Sequence, residues 1–366
     1  MITLQGKYNI ANIHTDIVDN ETISQVMNLL NQEFVKDSQI EIQADCHAGA
    51  GCTIGTVMTI KDEKVCPNLV GVDVGCSMFV TKIPDEIQER LPELDTFIRH
   101  HIPHGFSDHN KVLDNMDLSG LTCKDSLSKG MDVFKKSIGS LGGGNHFIEV
   151  NKSSNNEFYL VIHTGSRNLG LQVANYHQRK AVEECDGKGI HRDLCYVSGA
   201  NFENYINDMH ICQQYAQRNR LMIAKLIMEY FKYEFSGVFE TVHNYIDIET
   251  MILRKGAVSA ELGKTLIIPM NMRDGSLLCI GKGNKSNLSS APHGAGRLMS
   301  RSKAKQNIPL DTFKTQMEGI YTSSVGQNTL DEAPDAYKPF QSIVDAVADD
   351  VEIVERIMPI YNFKSS

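Results

Sequence analysis

No apolar run in the 366-residue chain approaches the roughly 18 residues that a helix needs to cross a bilayer. The first residues, MITLQGKYNIANIHTD, hold no basic stretch leading into an apolar one, so no secretion signal is expected and a cytoplasmic address follows. No CxxC pair occurs among the nine cysteines, which are Cys46, Cys52, Cys66, Cys76, Cys123, Cys185, Cys195, Cys212 and Cys279. An odd, scattered set in a chain of this size predicts reduced thiols rather than a disulfide framework. Most are expected to be small buried apolar residues, with one or two available to a metal. An excess of positive charge is missing too. The formal net charge of −9 lacks the basic footprint of a general nucleic-acid binder, so any phosphate-rich partner must meet a local cationic site. The acidic residues gather late in the chain, in LDEAPDAYK and DAVADDVEIVE.

What is present is the composition of a soluble globular protein, 41% apolar and 22% charged. Repeats, low-complexity tracts and Pro/Gly-rich linkers are lacking, so one domain over residues 1–366 is the simplest reading. Apolar spacing at Ile23, Val26, Met27, Leu29 and Leu30 predicts a helix over 21–36, and the longest helical pattern runs over 201–233. SLSKGMDVFKKSIG carries a weaker helical pattern. GTVMTI, MFVTKI, TLIIPM and SLLCIG read as short strands, and FYLVIHTGS as a strand running into a loop that carries His163. Helices and strands mix without regular βαβ alternation, which predicts an α+β fold.

Chemistry-bearing residues fall at strand ends and in glycine-rich loops, where a rigid scaffold usually carries its functional groups. DCHAGAGCTIG supplies Asp45 and His47 beside Gly49, Gly51 and Gly55, a backbone able to approach an anion, or equally a turn with an incidental histidine. GVDVGCS puts Asp73 and Cys76 three residues apart, suited to one metal or to bridging two, although a buried cysteine is the commoner case. GGGNHFIEV supplies Asn145, His146 and Glu149; HTGSRNLG supplies His163 and Arg167; HNYI supplies His243 and Asn244. Three histidines at polar or glycine-rich junctions, taken with Asp73 and Cys76, make a Cys/His/Asp set for one or two transition metals. In SSAPHGAGRLMSR, His293 stands between a proline and a Gly-Ala-Gly run, with Arg297 and Arg301 following at intervals of four. It reads either as a nucleophile facing a phosphate-bearing partner or as a histidine in a turn before a helix.

Taken in order, DCHAGAGCTIG, VGVDVGCS, SLGGGNHFIEV, HTGSRNLG, HNYI, RKGA, APHGAGRLMSR and DEAPDAYK resemble the RtcB family of RNA ligases. These motifs span roughly residues 40 to 364. The resemblance implies a single large RtcB-like domain with mixed sheets around a central dinuclear metal site. It also implies a GTP- and Mn(II)-dependent ligase that joins RNA ends bearing a 3′-phosphate or 2′,3′-cyclic phosphate to 5′-hydroxyl ends, in RNA repair or tRNA splicing. By that resemblance His293 is the nucleophile that takes up GMP, and Arg167, Arg297 and Arg301 hold phosphates. Asp73, Cys76, His146, His163 and His243 match the ligands of two Mn(II) ions, with Cys76 bridging. Asn145, Glu149, Ser276, Ala295, Tyr337 and Lys364 fall at nucleotide-binding positions. No membrane partner is implied, and a helper protein is left open. The other reading of the same residues is a metal-dependent phosphoesterase or nucleotide hydrolase, in which His293 is a spectator.

The chain departs from the family pattern at several points. PMNMRDGS, residues 269–276, stands where members carry Pro-Gly-Ser-Met-Gly, which is expected to reshape the nucleotide-side loop. DCHAG replaces Asp-Val-His-Pro-Gly, and FKSS replaces a Lys-Gly ending. Together these mark a divergent, short member.

Overall fold

Strands and helices follow one another irregularly in the computed structural model, which describes residues 1–365. A six-stranded sheet takes the order β1 (Ile2–Gln5), β2 (Ile10–Ile13), β3 (Ile40–His47), β4 (Ile54–Thr59), β10 (Ile252–Lys255), β9 (Asn244–Asp247). It is mixed, because β2 pairs β3 in parallel and the other neighbours are antiparallel. A larger sheet takes the order β12 (Thr265–Asn271), β13 (Gly275–Gly281), β16 (Val351–Lys364), β6 (Phe147–Lys152), β7 (Phe158–Thr164), β5 (Ser77–Ile83), β8 (Ser236–Val242). The short β15 (Tyr321–Thr322) joins it in parallel beside β16. A ribbon of β11 (Ala257–Ser259) and β14 (Ser290–Pro292) lies apart from both. The expected α+β class is therefore found.

The helices are α1 (Asn20–Leu30), α2 (Leu91–His101), α3 (Met131–Ser137), α4 (Arg167–Glu184), α5 (Gly199–Phe231), α6 (Arg301–Asn307), α7 (Leu310–Gln316) and α8 (Phe340–Ala346). None is long and apolar enough to cross a membrane. The long helix expected over 201–233 is α5. The one expected over 21–36 stops at Leu30 and resumes as a single 3₁₀ turn over Glu33–Val35. Asn31 caps it, its backbone N–H on the Met27 and Leu29 carbonyls, while its Oδ1 accepts the distant Lys7 N–H at 2.7 Å and ties the helix end to the β1–β2 turn. In SLSKGMDVFKKSIG only Met131–Ser137 is helical, starting directly after Gly130.

Alternation along the large sheet decides which side chains reach the site. On β7, Leu160 and Ile162 point to the apolar layer shared with α2 and α5, which includes Phe97, Ile98, Ile223 and Ile227. Tyr159 and Val161 point the other way, with Met78, Phe147 and Ile357. The period of two then places His163 on this second face, away from α5. All seven residues of β7 are buried, as expected of a strand covered on both faces.

Candidate active site

The register of four adjacent strands gathers the site. Phe147 on β6 lies opposite His163 on β7, and His163 lies opposite Met78 on β5. Ser77 on β5 in turn lies opposite Val242 on β8. His146 immediately precedes β6, Cys76 immediately precedes β5, and His243 immediately follows β8. Residues widely separated in sequence thus meet at one end of the sheet.

Their donor atoms converge. Cys76 Sγ lies 3.1 Å from His163 Nε2 and 3.5 Å from His146 Nε2. His163 Nε2 lies 3.3 Å from His243 Nε2, and His146 Nε2 lies 2.9 Å from Asp73 Oδ2. The other nitrogens of two rings are fixed by backbone: His146 Nδ1 faces the Leu141 carbonyl at 3.1 Å and His163 Nδ1 the Asn145 carbonyl at 3.2 Å. Carbonyls accept only, so each Nδ1 carries the proton and each Nε2 turns a lone pair inward. The His243 Nδ1 is buried without any hydrogen-bond partner.

The electrostatics of this cluster are unfavourable for a set with no cation. Burial pushes the Cys76 thiol well above its usual range, and the neighbouring Asp73 carboxylate adds to that rise. Burial holds His163 and His243 well below the ordinary imidazole value, with His243 adding to the fall at His163 and His293 to that at His243. Burial also works against the charged form of Asp73, but the charge and hydrogen bond of a protonated His146, which a bound cation would replace, override it and bring the carboxyl to about 2. Neutral imidazole lone pairs, a thiol and a carboxylate converging on one point fit a divalent transition ion, which favours thiolate and neutral histidine together. The backbone hydrogen bonds that orient His146 and His163 are the outer contacts such a site needs.

Two neighbours that the sequence reading assigned no role hold these loops. Arg220 of α5 is 1% exposed; its Nη1 donates to the carbonyls of Gly75 at 2.8 Å and Thr164 at 3.0 Å, and its Nε pairs with Glu240 at 3.0 Å. Asn219 beside it accepts from the Gly139 and Ser140 N–H groups and donates to the Gly165 carbonyl. Gly165 has its own requirement, since a Cβ there would sit 2.0 Å from Asp73 Oδ1.

His293 approaches from the β11–β14 ribbon. It follows β14, whose Pro292 pairs with Ala257 just beyond Gly256. Gly256 has φ +60, and a Cβ there would meet the His293 ring at 3.2 Å, so glycine admits the imidazole. Asp45 on β3, fully buried, takes both the His293 backbone N–H at 3.1 Å and His293 Nδ1 at 2.6 Å through the same Oδ2. The His293 ring centroid is 4.9 Å from that of His243.

A cavity of about 390 Å³ lies between the two groups. Its wall includes Asp73, Cys76, His163, His243 and His293. Asn145, Glu149, Ala295, Tyr337 and Lys364 line it as well, as do Arg297 and Arg301. His146 stands behind Asp73 and Cys76 rather than on the wall. Two further sequence-selected residues are not brought to the lining. Ser276 is fully buried on β13 opposite Pro269, its hydroxyl unpartnered. Arg167 turns its guanidinium to Ser140 Oγ and the Gly105 carbonyl.

Glu332 organises the cationic side and was not singled out by sequence. It is 2% exposed, and its Oε2 meets Lys364 Nζ at 2.6 Å and Tyr337 OH at 2.7 Å. Its Oε1 meets Arg301 Nη1 at 2.6 Å and lies 3.5 Å from Arg297 Nη1. Asp331 adds a second contact to Arg301 at 2.7 Å. Against the penalty of burial, Lys364 and then Arg301 bring the Glu332 carboxyl down to about 2. Glu149 goes the other way, pushed up to about 7 by burial despite Lys364 and the amides of Asn151 and Asn362. The divergent 269–276 segment is the β12–β13 hairpin; Arg273 and Asp274 pair with each other at 2.8 and 3.0 Å, leaving Pro269, Met270, Asn271 and Met272 on the cavity wall.

A second Cys/His/Asp group, Cys123, His177 and Asp208, is buried elsewhere, beside α4 and α5. Asp208 already accepts from Thr122 N and Oγ1, Cys123 N, Asn207 Nδ2 and His177 Nε2, at 2.7 to 3.2 Å.

The family model described as tRNA-splicing ligase RtcB matches residues 25–134 and 118–365. The chain is similar to the RNA-splicing ligase RtcB1 of Escherichia coli, 29% identical with 92% of each chain covered. It is likewise similar to the tRNA-splicing ligase RtcB of Aeropyrum pernix, 28% identical with 93% of this chain and 91% of the relative covered.

Proposed function

The chain belongs to the RtcB family, and from that premise we propose that it is a GTP- and Mn(II)-dependent RNA ligase acting through a guanylylated His293. The observation that carries this reading is the Asp45–His293 pair. With Nδ1 bound to the Asp45 carboxylate at 2.6 Å, the lone pair sits on Nε2, the nitrogen left free for the cavity. The Nε2 lone pair attacks the α-phosphorus of GTP, the bond to the bridging oxygen breaks, and pyrophosphate leaves. Asp45 keeps the Nδ1 proton and offsets the charge that develops on the ring, the role of an orienting carboxylate beside a histidine.

An oxygen of an RNA 3′-phosphate then displaces His293 from the GMP phosphorus, restoring the neutral ring. The 5′-hydroxyl oxygen of the second strand attacks the activated RNA phosphate, loses its proton and expels GMP. A 2′,3′-cyclic end is first opened to the 3′-phosphate by water. Asp73, Cys76, His146, His163 and His243 would hold two Mn(II) ions, which would supply charge neutralisation at the α-phosphate and orient the attacking and leaving groups. Arg297 and Arg301 present forks to phosphate, held in place by Glu332 and Asp331. Glu149 and Lys364 suit guanine over adenine, because a carboxylate accepts from the N1 and N2 hydrogens and an ammonium donates to O6.

The test is incubation of the metal-loaded protein with Mn(II) and GTP labelled at the α-phosphate, beside His293→Ala. The expected result is label on denatured wild-type protein, released by acid and stable to alkali as a phosphoramidate is, and no label on the variant. A metal-loaded wild-type protein that takes up no label would replace this reading with that of a metal-dependent phosphoesterase.

A further inference from the structure

Phe106 stands out among the large apolar side chains of the described residues, with an exposure of 106% of the reference value. Scattered apolar side chains on a surface are ordinary, but this one is carried on a loop built to keep it there. Leu141 N–H donates to the Pro103 carbonyl at 2.8 Å and Gly105 N–H to the Gly142 carbonyl at 2.9 Å. Ser107 N–H closes a turn onto the His104 carbonyl at 3.2 Å. Arg167 Nη2 donates to the Gly105 carbonyl at 2.9 Å, directly before the phenylalanine. Arg167 is itself held in the left-handed region, at φ 55. That backbone is costly for a side-chain-bearing residue and persists only where the surroundings fix it; here the guanidinium bonds to Ser140 and Gly105 do so.

The loop is also tied to a segment that leads to the cavity wall, since Gly105 bonds to Gly142. Its partner strand of chain, Gly142–Gly144, runs directly into Asn145 on the cavity wall, and a Cβ on Gly144 would lie 4.0 Å from Arg301 Nη2. The acidic neighbour Asp108 is turned away, onto Ser137 Oγ. A chain of net charge −9 draws little from long-range attraction to a phosphate backbone, so the strand needs a short-range hold near its reacting end. An exposed aromatic ring on an immobilised loop provides one at little ordering cost.

We propose that Phe106 is a stacking platform for a nucleobase of the single-stranded RNA whose end enters the cavity. Stacking is indifferent to base identity, because every base has a π face, which suits an enzyme that joins ends of differing sequence. In this arrangement Arg167 is a positioning residue that acts through Gly105. The inference rests on the RNA-ligase reading.

The experiment measures three quantities on the full-length, metal-loaded protein and its Phe106→Ala and Phe106→Tyr variants. They are GMP adduct formation, KM and kcat for joining two short RNAs, and the Kd of a fluorescent single-stranded RNA with a 3′-phosphate. A parallel RNA series lacks one base at each of the four positions next to the junction. Phe106→Ala is expected to raise KM and Kd about ten-fold with kcat and adduct formation retained, and Phe106→Tyr to restore wild-type values. One base-free position should weaken wild-type binding and leave Phe106→Ala unaffected. Equal Kd values for wild type and Phe106→Ala, or no base whose removal depends on Phe106, would overturn the platform while leaving the ligase reading intact. Phe106-dependent RNA binding by a protein that forms no adduct and joins no RNA would sink the ligase reading alone.

Discussion

Two groups of cysteine, histidine and aspartate occur among the described residues, and their polar atoms are engaged quite differently. Around Asp208 every oxygen lone pair in reach already has a donor: two backbone N–H groups, a hydroxyl, an amide and the His177 ring. Around Cys76 the donors face one another instead, with three Nε2 atoms and a sulfur within 3.1 to 3.5 Å contacts and the His243 Nδ1 left bare. Each holds a buried cysteine and buried histidine, although the Asp73 side chain is 32% exposed where that of Asp208 is fully buried. What separates a structural pin from a candidate metal centre is whether the lone pairs are already satisfied.

Breaking the comparison at its most sensitive point means Cys76→Ser, which is expected to bring bound Mn(II) to background and to abolish GMP uptake, read by metal analysis and by label on protein. Asp208→Ala should do the reverse. It leaves the His177 ring and the Thr122 and Cys123 N–H groups unpaired, and should cost about 3–5 kcal/mol of stability in a denaturant titration, with the metal content of the folded fraction unchanged.

Glu332→Gln sharpens the contrast through pH. The wild-type carboxyl lies at about 2 in the folded protein against an ordinary 4.5, so the folded form binds fewer protons than the unfolded one between those values. The resulting stabilisation, about 3 kcal/mol, is complete above pH 4.5 and disappears as pH falls towards 2. Melting curves of wild type and variant should therefore converge on acidification. A gap that widened would contradict the cationic network. The smallest effect is expected from Cys123→Ser, a change of about 1 kcal/mol or less with normal metal content, because a serine hydroxyl can still donate to Asp208 and the backbone N–H of residue 123 still does.

Much of the site was legible before the fold was known, since the candidate ligands and His293 lie at polar or glycine-rich junctions whose local composition signals function. The long helix was equally plain from its apolar period, and α5 matches it. What escaped notice was support rather than chemistry. Arg220 and Asn219 read as ordinary polar positions of an amphipathic helix, and only the packing of α5 against the Gly75 and Thr164 carbonyls gives them their role. Asp45 was noted as part of a loop, but its partner His293 is 248 positions away, and no local pattern encodes that pairing. Glu332 sat unassigned inside DEAPDAYK, because four cations and hydroxyls converge on it only through tertiary contact. Arg167 was read as a phosphate holder from its motif, whereas its guanidinium is committed to Ser140 and Gly105.

The central claim is that the Cys76 group binds metal and the Cys123 group does not. The direct measurement is a Mn(II) titration followed by electron paramagnetic resonance on the wild type, Cys76→Ser and Cys123→Ser, each at matched folded concentration. The account predicts coincident, saturable binding for wild type and Cys123→Ser and none for Cys76→Ser. Binding retained in Cys76→Ser and lost in Cys123→Ser would contradict it.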